Sequence, residues 1–406
     1  MNSAYLETID MPKKAMKSQP ESDSRMDGQP FPALGNIRAD DKIFLTGATG
    51  FLGGSIATDL LNAGCPATLL FLVRARTSED GLVRVRESLA KFRVSQEILS
   101  SLTTDNVICG DLTSVAAFSE DPRLDTVSYV INCAGMTSFG KTPNIRSINV
   151  DGTLELVRRI GRMFALRRFI HVSTAMICGS RPPHLVHEDY LPDSSDHHLV
   201  PYTASKSDAE RLIHKAMAGK PYAIVRPTII VGHTRLGCEP SGSIFWAFRM
   251  GDALNATVAG PKGRIDVVPV DYVSAAILHL LAKQDLSHIV YHIGSGENRS
   301  CNFKEISDAF GKVIGTEGKE IEHMSVEEAC KRKDEYPELF GPCNKRFMQG
   351  AVRIYGGFAS LDSVFDISRL VAEGAPLPPK FSSYLEVCAL SSAHMTIAEQ
   401  CMTDFL

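Results

Sequence analysis

Short, nearly unbroken apolar runs recur along the first two thirds of the chain, separated by stretches with helical periodicity. Ile43 to Leu45, Ala67 to Val73, Val107 to Leu112, Val127 to Ile131, Phe169 to Thr174 and Tyr222 to Pro227 are six such runs. They do not alternate apolar with polar, so they read as strands covered on both faces, the mark of a parallel sheet. Between them, Ser55 to Leu61, Asn149 to Ile160 and Pro201 to Leu212 repeat apolar residues at helical spacing. Strands alternating with helices at this pace predict an α/β fold with a doubly wound parallel sheet.

Beyond residue 232 the alternation loosens. Ile244 to Met250 predicts a helix, Ile265 to Asp271 an extended stretch, Val273 to Leu281 an apolar helix, and Ile289 to Gly294 a returning strand. From about residue 300 the chain reads as mostly helical and charged, broken by Pro337, Pro342 and Pro376 to Pro379. The expected organisation is a flexible polar tail over 1–35 and a nucleotide-binding domain over 36–231 with a returning segment at 265–297. A smaller, mostly helical C-terminal substrate lobe is expected over 232–264 and 298–406.

The 406 residues are 44% hydrophobic and 22% charged, with a net charge of −4. That supplies ample core and gives no case for nucleic acid or an anionic membrane surface. No run is long enough to suggest a membrane span, and Met1 to Asp10 lacks an apolar signal core, so a cytoplasmic protein is expected. The ten cysteines form no C-x-x-C pair and no zinc-spaced cluster, so reduced thiols and no metal site are expected.

The first strand runs into Gly47, Gly50 and Gly53, and a helix follows at once. In that context glycines cradle a dinucleotide pyrophosphate. Gly47 permits the turn, Gly50 the backbone approach and Gly53 the close packing of helix on strand. The helix N-terminus then offers free N–H groups to phosphate. The second strand ends at Arg74, about twenty residues on, where an NAD enzyme places an acid for the ribose 2′-hydroxyl; an arginine there suits a 2′-phosphate. Arg84 opens the next helix and could add a second cation. Ligand contacts in such a sheet belong at the strand C-terminal ends. That is where Thr46 to Gly53, Arg74, Asp111, Cys133, Ala134, Gly135, Thr174 and Pro227 fall.

Tyr202 and Lys206 lie at i and i+4 on one helix, hence on one face. An ammonium beside the phenol should favour phenolate and bring its pKa down toward working pH, making Tyr202 a proton donor to a developing alkoxide. Thr174 would hydrogen-bond the substrate oxygen, with Ser173, on the other face of the strand, as second choice.

These residues together resemble the extended short-chain dehydrogenase/reductases: Thr46-Gly47-Ala48-Thr49-Gly50-Phe51-Leu52-Gly53, Gly110-Asp111-Leu112, Asn149-Val150-Asp151-Gly152-Thr153, Ser173-Thr174 ahead of Tyr202-x-x-x-Lys206, and Arg226-Pro227. Within that superfamily the chain is similar to the thioester-reductase branch of fatty acyl-CoA reductases, carboxylic acid reductases and the terminal reductase domains of peptide synthetases. The branch features are Leu72-Val73-Arg74-Ala75 with Arg84 to Leu89, Val268 to Val273, and Val364 to Arg369. Asn132-Cys133-Ala134-Gly135 departs from the branch, which more often carries a histidine there.

The resemblance implies a Rossmann fold and NADPH, with Gly47, Thr49, Gly50, Phe51, Leu52 and Gly53 around the pyrophosphate. It puts Arg74 and Arg84 near the 2′-phosphate and Asp111 and Leu112 near adenine. Thr174, Tyr202 and Lys206 become the catalytic set for reducing an acyl thioester, on CoA or a separate carrier protein, to an aldehyde, which a second hydride could take on to the alcohol. A carbonyl reductase or a sugar-nucleotide epimerase or dehydratase would keep the fold; an epimerase usually prefers NAD, against which Arg74 argues. A non-catalytic NADP sensor would keep the glycines and discard the chemistry, against which the intact Thr174, Tyr202 and Lys206 argue.

Overall fold

The computed structural model describes residues 34–405 apart from 138, 140–142 and 317, so the expected tail falls outside the described residues as far as residue 33. Seven strands form one sheet: β1 (Lys42–Thr46), β2 (Thr68–Val73), β3 (Val107–Cys109), β4 (Tyr129–Asn132), β5 (Arg168–Val172), β6 (Tyr222–Pro227) and β7 (Val290–Ile293). Their order is β7-β6-β5-β4-β1-β2-β3, and every neighbouring pair is parallel. The fold class is therefore the expected Rossmann-type sheet. The order reverses between β1 and β4, whose register sets Thr46 beside Asn132. The crevice beyond the C-terminal ends of those two strands is where such a sheet binds ligands.

Connecting helices cover both faces. They include α1 (Phe51–Asn62), α2 (Ser78–Ala90), α3 (Thr153–Ile160) and α4 (Pro201–Ala216), then α5 (Phe245–Leu254) and α6 (Val270–Ala282). Ile43 and Leu45 of β1 face one core with Ile56, Leu60 and Ile277, while Phe44 faces another with Leu156, Ile160 and Ile213. Each strand thus buries both faces, which is why its sequence is apolar throughout rather than alternating.

Differences from expectation are local. β3 stops at Cys109, because the Asp111 carboxylate accepts the Thr113 N–H at 2.7 Å and turns the chain. The helix expected from Asn149 begins as a π-helical turn, Ser147–Gly152, before α3. Gly152 is required there, since a Cβ would lie 1.8 Å from the Leu112 carbonyl oxygen. The stretch expected to be extended up to Asp271 holds two short strands, and α6 starts at Val270 behind Pro269.

The later chain builds cores of its own with α7 (Phe303–Ile314), α8 (Lys345–Ala359) and α9 (Phe381–Ser391). Trp246, Met250, Met348 and Val352 pack in one; Phe245, Phe310, Phe381 and Leu385 in another. Residues 363–376 instead return to the sheet. Val364–Phe365 pairs in parallel with Leu185–Val186, and buried Asp266 ties them in by accepting the N–H groups of Phe365 and Ser295 at 3.1 and 2.6 Å. Glu188, almost fully buried, accepts the N–H of His292 on β7 and of Arg369 at 2.9 and 2.8 Å. Among the described residues, no helix is long and apolar enough to cross a membrane.

Candidate active site

The site is built where the β1 and β4 loops meet. Gly47 has φ +76°, and a Cβ on it would stand 2.8 Å from the Ala134 nitrogen, so only glycine lets the two loops close on each other. A Cβ on Gly53 would lie 2.1 Å from the Gly47 carbonyl oxygen, which is how this glycine brings α1 onto the turn. Gly50 sits exposed at the head of α1, where neither a capping side chain nor an acidic residue engages the first turn. Those free N–H groups and the dipole behind them fit a phosphate. Phe51 stacks on Phe92 with centroids 6.3 Å apart, and Leu52 is buried, so both anchor the loop rather than face solvent.

A buried polar chain braces the loop from below. Thr46 Oγ1 donates to Asn132 Oδ1 at 2.7 Å and accepts the Ala134 N–H at 3.0 Å, and Asn132 Nδ2 lies 3.2 Å from His171 Nδ1. Burial and the nearby Lys206 hold His171 well below the ordinary histidine pKa, so it is neutral. Asn149, on the π-helical turn, clamps the next stretch. It accepts the Met136 N–H at 2.7 Å and donates to the Met136 carbonyl and Ser205 Oγ, both at 2.9 Å. The sequence places Thr46 at a ligand-bearing strand end and Asn149 in a family motif, without showing their bracing role, and it singles out neither Asn132 nor His171 as a site residue. The available signal was polar side chains at or next to the ends of apolar runs.

Lys206 joins three elements. Its Nζ donates to the Val172 carbonyl at 2.9 Å, two residues before Thr174, and a Cβ on Gly135 would lie 3.2 Å from it. Gly47, Ala134, Gly135, Lys206 and the end of β5 therefore converge. Tyr202 lies one helical turn before Lys206. Thr174 caps a short helix by accepting the Met176 N–H at 3.3 Å, whereas the buried Ser173 Oγ has no partner among the described residues.

Burial pushes Lys206 down to about 8 and Cys133 up to about 12. It also pushes the Tyr202 phenol up, with Cys133 adding to the shift, so the expected fall toward working pH is not what this environment produces. Desolvation of the charged form sets the direction, while the Lys206 ammonium is engaged by the Val172 carbonyl. A neutral phenol is still the form that can donate a proton.

Arg74 and Arg84 form one exposed cluster: Arg84 Nη1 donates to the Arg74 carbonyl, and Arg74 Nε lies 3.7 Å from Asp111 Oδ2. Leu112 is buried against α3, and Pro227 is buried at the end of β6, two strands from β4. On the other side, Tyr202 packs 5.8 Å from Phe139, whose ring is 5.2 Å from those of both Tyr355 and Phe358 on α8. Tyr355 and Phe358 line a cavity of about 120 Å³ walled mainly by apolar residues of α5, α7 and α8.

A glycine loop at the switch point of a parallel sheet, beside a helix carrying Tyr-x-x-x-Lys, defines an extended short-chain dehydrogenase/reductase, an oxidoreductase class with a dinucleotide-binding domain. Residues 45–277 match the NAD-binding family described as Male sterility protein, and the chain belongs to that family. The nonribosomal peptide synthetase hkm10 of Aspergillus hancockii is 26% identical over 327 residues, covering 73% of this chain but 30% of the synthetase. The Arabidopsis thaliana protein described as "Probable fatty acyl-CoA reductase 5" is 24% identical over 341 residues, covering 66% of this chain and 68% of that one. The chain thus spans less than a third of the first relative's length. In three dimensions it is similar to the terminal R domain from the myxalamid PKS-NRPS biosynthetic pathway, with a TM-score of 0.69 at 20% identity over 87% of this chain and 91% of that domain.

Proposed function

We propose that the chain is an NADPH-dependent reductase that takes an acyl thioester, on CoA or a carrier protein, to an aldehyde. The observation that carries this reading is the meeting of the glycine loop, Lys206 and the end of β5, with Tyr202 packed on Phe139, whose ring in turn packs on two residues that line an apolar cavity. The similarity to a peptide synthetase and to a fatty acyl-CoA reductase supports the thioester as substrate. Gly47, Thr49, Gly50 and the first turn of α1 would hold the pyrophosphate, Arg74 and Arg84 the 2′-phosphate, and Asp111 with Leu112 the adenine side. When bound there, NADPH supplies a hydride to the thioester carbonyl carbon.

The chain's own residues handle the oxygen. Charge grows on it during reduction; Thr174 donates a hydrogen bond and Tyr202 a proton. Lys206 holds the tyrosine side of the site positive and offers donors to a ribose hydroxyl. The resulting hemithioacetal breaks its C–S bond, releasing thiol and aldehyde. An assay of NADPH consumption over acyl-CoAs, carrier-bound acyl groups and free aldehydes, with products identified, tests the reading. Consumption with aldehydes alone would reduce it to a carbonyl reductase.

Two predictions attach to this reading. NADPH should bind at least about tenfold more tightly than NADH, a difference of about 1.4 kcal/mol, and Arg74→Ala should erase most of it. Titration showing equal affinities in the unmutated chain would refute the assignment of Arg74. The second concerns pH. Lys206 is charged below its lowered pKa of about 8, so turnover that depends on its ammonium should fall as pH rises through that value. A turnover profile level to well above pH 9 would speak against that role for Lys206.

A further inference from the structure

The cavity beyond Phe139 is mainly apolar, with Ser307 on α7 and a polar stretch of wall at the end of α5 as exceptions. Asp252 and Thr257 line it there, and each is 6% exposed. Asp252 Oδ2 and Thr257 Oγ1 have no hydrogen-bond partner among the described residues. The chain geometry places both on this wall. α5 ends at Leu254, Asn255 takes a left-handed turn at φ 54°, and the short strand Ala256–Thr257 follows. Lys319 approaches this wall, but its hydrogen bond goes to the Asp252 main-chain carbonyl at 3.0 Å. Of the other lining residues, Met250, Leu254, Ile321 and Met324 have nothing to donate, and Ser307 and Tyr355 carry the remaining hydroxyls.

A buried carboxylate oxygen or hydroxyl without a partner is costly, and native interiors rarely leave two on one cavity wall. In a cavity whose lining rings Tyr355 and Phe358 pack on Phe139 beside Tyr202, the missing partner is naturally part of what the cavity receives. A carboxylate oxygen can only accept, and it carries charge, so an amine suits it better than an ether, carbonyl or methyl end. Burial also pushes the Asp252 carboxyl up from its ordinary range, with Lys319 opposing, and a ligand ammonium would hold it ionised.

We propose that the acyl group taken by this chain is an apolar chain bearing an amino group, which Asp252 and Thr257 bind at the wall of the cavity. The carbonyl end lies at Tyr202, the hydrocarbon passes Phe139 between Tyr355 and Phe358, and the amine meets the two orphan oxygens. This rests on the reductase reading for the placement of the carbonyl, but the amine site stands on its own contacts.

The test separates the two. Calorimetric titration of the full chain with octanamide and 8-aminooctanamide, and with their six- and ten-carbon homologues, reads the site without catalysis. The amino compound of the best-fitting length should bind about tenfold more tightly than its plain partner. Asp252→Asn, which keeps the shape, and Asp252→Leu should each abolish that advantage, the leucine variant binding the plain amide better than before. Equal binding of the pair by the unmutated chain, no binding of either, or an advantage that survives both substitutions would overturn the proposal. The same pairs as N-acetylcysteamine thioesters then report on reduction, where kcat/KM should follow the binding ratio. An intact binding ratio with no thioester reduced would leave the amine site standing and defeat the reductase reading alone.

Discussion

Tyr202→Phe is expected to lower turnover about a hundred- to ten-thousandfold while leaving NADPH affinity nearly unchanged. The substitution keeps the ring, and with it the packing against Phe139 at 5.8 Å that borders the cavity. What it removes is the phenolic proton assigned to the forming alkoxide. Burial holds the phenol neutral, so this donor is fully loaded across the physiological range. The cofactor contacts proposed for Gly47, Gly50, Arg74 and Arg84 are untouched, which is why binding should persist. Steady-state kinetics with a thioester and, separately, its aldehyde, beside a cofactor titration, measures both quantities. A folded Tyr202→Phe protein that turns over at the unmutated rate would leave the short-chain reductase reading as a fold without this chemistry.

Arg226→Met is expected to destabilise the chain by about 3–5 kcal/mol, the cost typical of breaking a fully buried ion pair from one side. Arg226 on β6 meets Glu210 on α4 through Nη2–Oε2 at 2.7 Å, with Nε adding contacts of 3.1 and 3.2 Å, and both side chains are 0% exposed. Methionine fills much of the volume but strands the Glu210 carboxylate in the interior, away from water and without the hydrogen bonds that Arg226 donates. Pairing the change with Glu210→Leu removes the second charge and should recover much of the loss. Denaturant midpoints of the single and double variants decide this; a single variant with an unshifted midpoint would show that the pair contributes nothing to the fold.

The sheet was readable because parallel strands buried on both faces impose a local composition. Ile43-Phe44-Leu45 is apolar throughout since Phe44 and its neighbours serve opposite cores. Gly47 and Gly53 were readable because steric exclusion leaves no alternative: a side chain at either would enter backbone. That Tyr202 and Lys206 share a helix face was legible from their spacing, and the glycine turn and the hydroxyls ending the fifth strand singled the pair out. The direction of the Tyr202 shift was not, because spacing reports a neighbouring charge but not the desolvation that sets that direction or the Val172 carbonyl that engages that charge. The bracing role of Thr46, Asn132, His171 and Asn149 was equally hidden, since each bond joins positions roughly ten to ninety residues apart.

By itself the sequence determined the class of sheet, the glycine turn and the tyrosine–lysine helix, all products of local sterics and short periodicities. Tertiary structure alone decided that residues 363–376 return to the sheet, held through Asp266 and Glu188, and that α5, α7 and α8 enclose a cavity on the tyrosine's side. It also decided that Asp252 and Thr257 share that cavity's wall with their oxygens unpaired. The reason is one of range. Hydrophobic pattern specifies that a face is buried, but not against what, and whether a buried oxygen has found a donor depends on every segment that folds around it.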